Sequence, residues 1–298
     1  MRVFITGATG FIGKQVVQEF LRNGHQILGL ARSDKSAEIL TALGAEVARG
    51  SLTDADSLKR GASASDGVVH LAFNHDFSDY ADACELDRTV IEAIGETLAG
   101  TRRPFIVTSG TLLLPHGRLV TEDEHYDASA AFGAERGKSE DLTLSLVSKG
   151  VSVMVMRLAP TNHGRGDAMF IPMLISPARK NGFSAYIDDG RNRWPSTHVL
   201  DAAKAYYLAF TKGSAGSIYH ATAEEGVPMK DVAEAIGRKL NVPTVSLDNE
   251  DAVAKLGFIA IPLAQDNPTS SAKTREALGW DPTQPSLLSD LQEDFYYE

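Results

Sequence analysis

Apolar blocks alternate with amphipathic stretches along the first half of the chain. Val3 to Ile5 form a short unbroken apolar run, the pattern of a buried strand. From Phe11 onward the apolar positions Phe11, Ile12, Val16, Val17 and Phe20 follow the 3.6-residue period of a helix. The pattern then recurs. Gln26 to Ala31 reads as a second strand, Lys35 to Leu43 as a helix and Ala45 to Ala48 as a third strand, after which Asp54 caps a helix running through Leu58. Gly67 to Leu71, Pro104 to Thr108 and Val151 to Arg157 read as three more strands, separated by helices at Glu85 to Ala99 and Ala130 to Lys149. Six such alternations predict an α/β fold built on a doubly wound parallel sheet.

Beyond Leu158 the rhythm breaks. A polar loop (Pro160, Asn162, His163, Gly164, Gly166, Asp167) precedes an apolar helix-like run from Ala168 that contains Pro172 and Pro177. A helix over His198 to Phe210 and another after Pro228 follow, with short elements around them. The division expected is residues 1–158 as a nucleotide-binding domain and 159–298 as a smaller, partly interleaved substrate-binding lobe.

The junction between the first strand and first helix carries the strongest chemical signal. Gly7, Gly10 and Gly13, with Thr9 among them, sit where helix N-terminal amides are unpaired and can hold a pyrophosphate. Only glycine lets the main chain approach that closely, so Gly7, Thr9, Gly10, Phe11, Ile12 and Gly13 are candidate dinucleotide contacts. About 20 residues on, where such a unit reads the adenosine ribose, stand Arg32 and Ser33 with Lys35 close behind. A cation and a hydroxyl there favour the 2′-phosphate of NADP over NAD. Ligands collect at the carboxyl edge of an open parallel sheet, which adds Ser51, Leu52, Leu71, Ala72, Phe73 and Thr108 to the cofactor set. His70 lies within a buried strand and reads as a core residue; His75 and Asp76, past that strand's tip, are placed for substrate.

Composition narrows the partners. The chain has 298 residues, 43% of them hydrophobic and 23% charged, a globular balance. A formal charge of −10 argues against nucleic acid, which needs clustered cations. A lone cysteine, Cys84, cannot form an internal disulfide, and no apolar stretch is long enough to span a membrane, so a cytoplasmic protein acting on a small molecule is expected. No metal site is expected.

The motifs TGATGFIG (Thr6 to Gly13), DGVVHLA (Asp66 to Ala72), IVTSGT (Ile106 to Thr111) and HVLDAAKAY (His198 to Tyr206) together resemble the extended short-chain dehydrogenases/reductases, the NAD-dependent epimerase/dehydratase group. The resemblance implies a Rossmann-type domain with a small C-terminal substrate-binding lobe, and allows a homodimer. It also implies a catalytic hydroxyl, tyrosine and lysine, the last two spaced YxxxK, in which the tyrosine exchanges a proton with the substrate oxygen. This chain departs from that pattern. With Glu140 matching the family's helix glutamate, the lysine position falls on Arg136 and the tyrosine position on Phe132; a register shifted by two gives Ala134 and Lys138. Neither supplies a phenol, and arginine is not an interchangeable lysine. Tyr126 lies upstream as a substitute. Gly110 falls where the active serine is usual, flanked by Ser109 and Thr111, with Thr111 preferred for orienting substrate. RLAPTNH resembles the family loop that meets the nicotinamide, making Pro160, Thr161 and His163 cofactor candidates, and Trp194 in RNRWPSTH offers substrate an aromatic face or packs as a hinge.

Two functions remain open at this point: an NADP-dependent oxidoreductase acting on a small carbonyl or alcohol, in which Arg136 fixes the ribose and Ser109 or Thr111 orients the oxygen, and a non-catalytic NADP-binding sensor. A redox-neutral epimerase or isomerase with bound NADP lies between them.

Overall fold

A computed structural model describes residues 1–74, 79–129 and 133–298. Its centre is a seven-stranded sheet formed by β1 (Arg2–Thr6), β2 (Gln26–Ala31), β3 (Glu46–Arg49), β4 (Gly67–His70), β5 (Pro104–Gly110), β6 (Ser152–Leu158) and β10 (Ile218–Ala221). The order is β10-β6-β5-β4-β1-β2-β3 and every pairing is parallel. Strand residues alternate between two cores because successive side chains point to opposite faces. Val3, Ile5, Val69, Ile106, Met154 and Met156 enter one core, whereas Phe4, Val68, Phe105 and Val153 enter the other. A sheet buried on both faces is therefore set by the strand sequences themselves.

The first core is closed by α1 (Phe11–Arg22), α2 (Asp34–Ala42) and α7 (Val199–Lys212); the second by α3 (Ala55–Ser63), α4 (Tyr80–Leu98) and α5 (Gly133–Ser145). The Asp54 cap is present: its carboxylate accepts from the Ser57 amide at 3.0 Å. The fourth helix begins five residues earlier than its apolar period suggests, because Asp79 caps it at Tyr80. The expected Ala130 to Lys149 helix is divided: residues 130–132 lie outside the described set, and after Ser145 the chain tightens into a 3₁₀ turn, Leu146–Lys149.

The chief departure from the expected pattern is the seventh strand. α7 and β10 lie beyond Leu158, yet both belong to the sheet layer. α7 packs on α1, with the Phe20 ring edge-on to Phe210 at 5.2 Å, and β10 pairs with β6. They escaped the strand count because residues 159–198 intervene.

The intervening and following residues build the second lobe. β7 (Thr161–His163), β9 (Arg193–His198) and β11 (Glu224–Pro228) form one small sheet, and β8 (Ser184–Ile187) with β12 (Thr244–Leu247) another. Helices α6 (Phe170–Asn181), α8 (Met229–Leu240), α9 (Asn249–Leu256), α10 (Ala260–Leu263) and α12 (Leu287–Asp290) pack around Trp194, Val232, Ile236 and Leu263; α11 (Ala272–Leu278) returns to the first core. The loop after β5 reaches the lobe through a bridge between Val120 and Thr269.

One fully buried cation holds β6 to α5. The Arg157 guanidinium meets both Glu140 carboxylate oxygens, at 2.9 and 2.6 Å, and donates to the Glu124 carbonyl at 2.9 Å. Ser109 donates to the same carboxylate at 2.6 Å. His220 stands on the other side, with Nδ1 donating to the Ser270 carbonyl at 2.8 Å. Burial and then the neighbouring Arg157 push its imidazole down to about 3, so it is neutral and Nε2 faces the guanidinium as an acceptor. Glu140→Ala leaves a buried guanidinium without its carboxylate and is expected to destabilise the fold by about 3–5 kcal/mol. A urea unfolding midpoint unchanged from the parent would contradict this assignment.

Candidate functional site

The site lies where the topology directs it, at the carboxyl ends of β1, β4 and β5. Gly7 takes a φ of 69°, the left-handed region, and a side chain there would stand 2.7 Å from the Ala72 amide nitrogen. A side chain at Gly13 would be driven into the Gly7 carbonyl oxygen, so α1 rests directly on the turn. Gly10 opens the helix without a side-chain cap, and no acid stands in the first turn. The α1 amides thus face open space and complement an anion. This cradle fits a dinucleotide pyrophosphate because side chains are excluded where its backbone must approach.

Beneath the strand tips runs a buried polar chain. Thr6 Oγ1 lies 2.6 Å from His70 Nδ1, and His70 Nε2 lies 3.2 Å from Asp87 Oδ1. The other Asp87 oxygen meets Arg136 at 2.6 Å, and Arg136 donates to the Thr108 carbonyl at 2.7 Å. Burial works to raise the Asp87 pKa, but Arg136 and then His70 outweigh it and hold the carboxyl well below its ordinary range. Arg136 is therefore fixed as a paired cation at the end of β5, its guanidinium 4.1 Å above the Phe73 ring. His70 is the core residue its strand position implied.

The cleft above encloses about 430 Å³. Of the expected cofactor residues, Gly7, Gly10, Phe11, Ile12, Gly13, Leu71, Phe73, Thr108 and Arg136 line it together. Thr9 is half-buried in the turn, and the Ala72 amide donates to Thr6 Oγ1 at 3.2 Å. At the tip of β2 Arg32 is exposed; Ser33 caps α2 through the Ser36 amide at 3.2 Å, which leaves Arg32 the freer of the two for a ligand. Ser51 pairs with Thr53 at 2.9 Å, and Leu52 packs against the second core. Pro160 lines a smaller adjoining cavity of about 210 Å³ with Phe11, Thr111 and Met169.

Other candidates are turned to structural work. Thr111 is fully buried and donates to Asn267 at 3.0 Å, while the Asn267 amide returns to the Thr111 carbonyl at 2.9 Å. Ser109 borders the cleft, but its proton goes to Glu140. Tyr126 lies outside the cleft lining, its ring against Gly137 and its hydroxyl donating to Asp141 at 2.7 Å. Thr161 donates to the Pro195 carbonyl at 2.6 Å. Trp194 is wholly buried in the lobe core with its indole NH 3.2 Å from the Gln265 carbonyl, and Phe170 stands between it and the cleft. Packing in the lobe core takes Trp194, which leaves it no face for substrate. His75, Asp76 and Phe132 lie outside the described residues.

Residues that the motifs did not single out complete the wall. Leu112, Leu113, Met169, Phe170, Phe258 and Pro262 make it strongly apolar, and Tyr80 enters from the first turn of α4. Only the fold brings them together.

Behind the cleft, the loop after β7 is clasped by the C-terminal segment. His163 is buried and bonded to Asp290 at 2.7 Å, with His198 3.7 Å from the same carboxylate. Its expected cofactor contact gives way to this pairing. Tyr296 accepts from the Gly164 amide and donates to Asp167, both at 3.1 Å. Burial pushes the Asp167 carboxyl up to about 6, against hydrogen bonds from Met169 and Tyr296.

Residues 3–221 match the model of the NAD dependent epimerase/dehydratase family. An uncharacterised protein of Schizosaccharomyces pombe is 48% identical over 298 residues, covering all of both chains. The 4-hydroxy-2-methyl-3-oxo-4-farnesyl-3,4-dihydroquinoline-1-oxide ketoreductase of Stigmatella aurantiaca is 27% identical, over 86% of this chain and 80% of its own. Among solved structures, UDP-glucuronic acid 4-epimerase from Bacillus cereus, in complex with UDP-glucuronic acid and NAD, superposes with a TM-score of 0.78 at 18% identity, over 100% of this chain and 98% of its own.

The Asp167 environment sets a pH response. Its raised folded-state pKa means that the native state binds the extra proton between about pH 4 and 6, so this group's contribution is fully present below about 4 and lost as pH rises through 6. Asp167→Asn is expected to be more stable relative to the parent at pH 7.5 than at pH 4.5, by up to about 2 kcal/mol. Thermal unfolding at the two pH values checks it; a difference independent of pH counts against it.

Proposed function

The chain belongs to the NAD-dependent epimerase/dehydratase family, and we propose that it is a nicotinamide-dependent oxidoreductase acting on the carbonyl or alcohol of a small apolar molecule, with NADP preferred to NAD. The observation that carries this reading is the cleft itself. The glycine cradle and Arg136 lie at one end, and Leu112, Leu113, Met169, Phe170, Phe258 and Pro262 supply an apolar wall. Arg136 is the sole cation among the described residues lining the cleft. A nucleotide-sugar diphosphate would call for more positive charge, whereas an apolar ketone needs little more than one donor and a hydrophobic surface. The likeness to a ketoreductase whose name describes a farnesylated quinoline oxide points the same way.

The pyrophosphate is held by the α1 amides, and the adenosine ribose end is read by Arg32, which is exposed and forms no ion pair among the described residues. Arg136 sits at the β5 tip, where a family lysine would hold the nicotinamide ribose. The bound coenzyme supplies or accepts hydride. A cytoplasmic setting fits the lone, buried Cys84. No helix among the described residues is long and apolar enough to cross a membrane.

A second reading, the non-catalytic sensor, draws support from one observation: Ser109 and Thr111 have both given their protons to protein acceptors. Calorimetry separates cofactor preference from chemistry. NADPH is expected to bind more tightly than NADH, and Arg32→Asp to weaken NADPH on the order of tenfold or more with little effect on NADH. Anaerobic incubation with NADPH and a panel of apolar ketones and aldehydes is expected to oxidise the coenzyme. Tight binding with no turnover across the panel would favour the sensor, and equal affinity for both coenzymes would remove the NADP assignment.

A further inference from the structure

We propose that the substrate of this cleft carries its carbonyl on a long unbranched apolar chain, and that the chain leaves the cleft across an apolar rim formed by Phe258 and Ile261. The proposal rests on the oxidoreductase reading above and names the class of molecule that such an enzyme would take. Six large apolar side chains are exposed among the described residues, and three of them, Val253, Phe258 and Ile261, fall in one stretch running from α9 to α10. Isolated apolar side chains at a surface are ordinary. A group of them beside a pocket calls for a ligand.

The stretch is built from a sequence with no polar face. Residues 258–263 read FIAIPL, six apolar residues in succession. α9 stops at Gly257, whose φ of 72° favours glycine, and the chain restarts as a short 3₁₀ turn, Gly257–Ile259, that runs on into α10. Ile259, Ala260 and Leu263 are buried in the lobe core. Phe258 and Ile261, three residues apart and so on one side of the turn, are instead 40% and 45% exposed. The solvent side of a surface helix is ordinarily polar, so packing alone does not account for these two residues. Phe258 and Pro262 also line the cleft, which makes the exposed side continuous with the cleft wall.

Polar side chains of the cleft gather at the β5 tip, where Thr108, Ser109 and Arg136 lie. A carbonyl held over that floor directs its chain along Met169 and Phe170 towards Phe258. Met169 is unbranched and adapts to such a chain. Each methylene that leaves water along this path adds in the same sense, so affinity rises with length until the chain has passed Ile261.

Ketone binding to the protein saturated with oxidised NADP separates recognition from chemistry, because that coenzyme has no hydride to give. Calorimetry with linear methyl ketones from hexanone to dodecanone is expected to show Kd falling about twofold or more with each added methylene. Ile261→Ser is expected to weaken dodecanone by about fivefold or more and hexanone by less than about twofold, with an unchanged Tm. Ile261→Leu is expected to keep the parent's dependence on length. A Kd independent of chain length overturns the inference and leaves the oxidoreductase reading intact, as does an Ile261→Ser protein that loses the same factor for every ketone. Binding to neutral phosphatidylcholine vesicles that Ile261→Ser abolishes, with ketone affinity insensitive to length, gives the rim to a membrane surface and overturns the inference. A steep length dependence in a protein that reduces none of the ketones with NADPH sustains the chain-binding assignment and overturns the oxidoreductase reading.

Discussion

A guanidinium taken out of water must find a carboxylate, and the pairing of Arg136 with Asp87 meets that demand at the point where two helices and three strands converge. Through Asp87 it reaches His70 and Thr6, which ties the ends of β1 and β4 to α4. Through its second branch it bonds the Thr108 carbonyl and fixes α5 against the tip of β5. Loss of either partner would strand a charge in the interior, so the geometry of the cleft floor is over-determined. The guanidinium then lies over the Phe73 ring, which stands edge-on to the Tyr80 ring.

Much of the sheet layer was legible in the chain because each strand announces itself twice. Its apolar run marks the strand, and the odd–even split between Val3, Ile5 and Phe4 supplies both faces at once. β10 was hidden for a topological reason: IYHA is short, and its partner β6 lies more than sixty residues earlier. The glycine cradle was legible because glycine's chemistry is local. Hydroxyls are another matter. Ser109 and Thr111 are the right residue types at the right strand tip, yet whether a hydroxyl is free depends on Glu140 and Asn267, which arrive from other elements. Tyr80 is the converse case, since DYADACEL gives no sign that its ring will meet Phe73, over which α5 places a guanidinium.

The two lobes are joined by more than a hinge. The loop after β5 crosses to the lobe, with Thr111 and Asn267 exchanging hydrogen bonds in both directions and Val120 bridging to Thr269. Trp194 fills the lobe core directly behind Phe170, so a cleft-wall side chain rests on a rigid indole rather than on solvent. A wall supported in this way favours a ligand that matches its shape, and its apolar character leaves the polar chemistry to the floor.

The position of α7 and β10 along the chain governs how the molecule must assemble. A growing polypeptide that has released six strands still lacks the helix that shields Phe20 and the strand that pairs with β6. Those pieces emerge only after β7, α6 and β9 have been made. The sheet edge at β6 therefore waits, unpaired, through the synthesis of about sixty further residues, an interval of seconds at ordinary translation speed. During that interval nascent β6 is a docking edge for any passing strand, and it is closed by a strand that emerges before most of the lobe, since β11, α8, β12, α9, α10 and α12 all follow β10 in the chain.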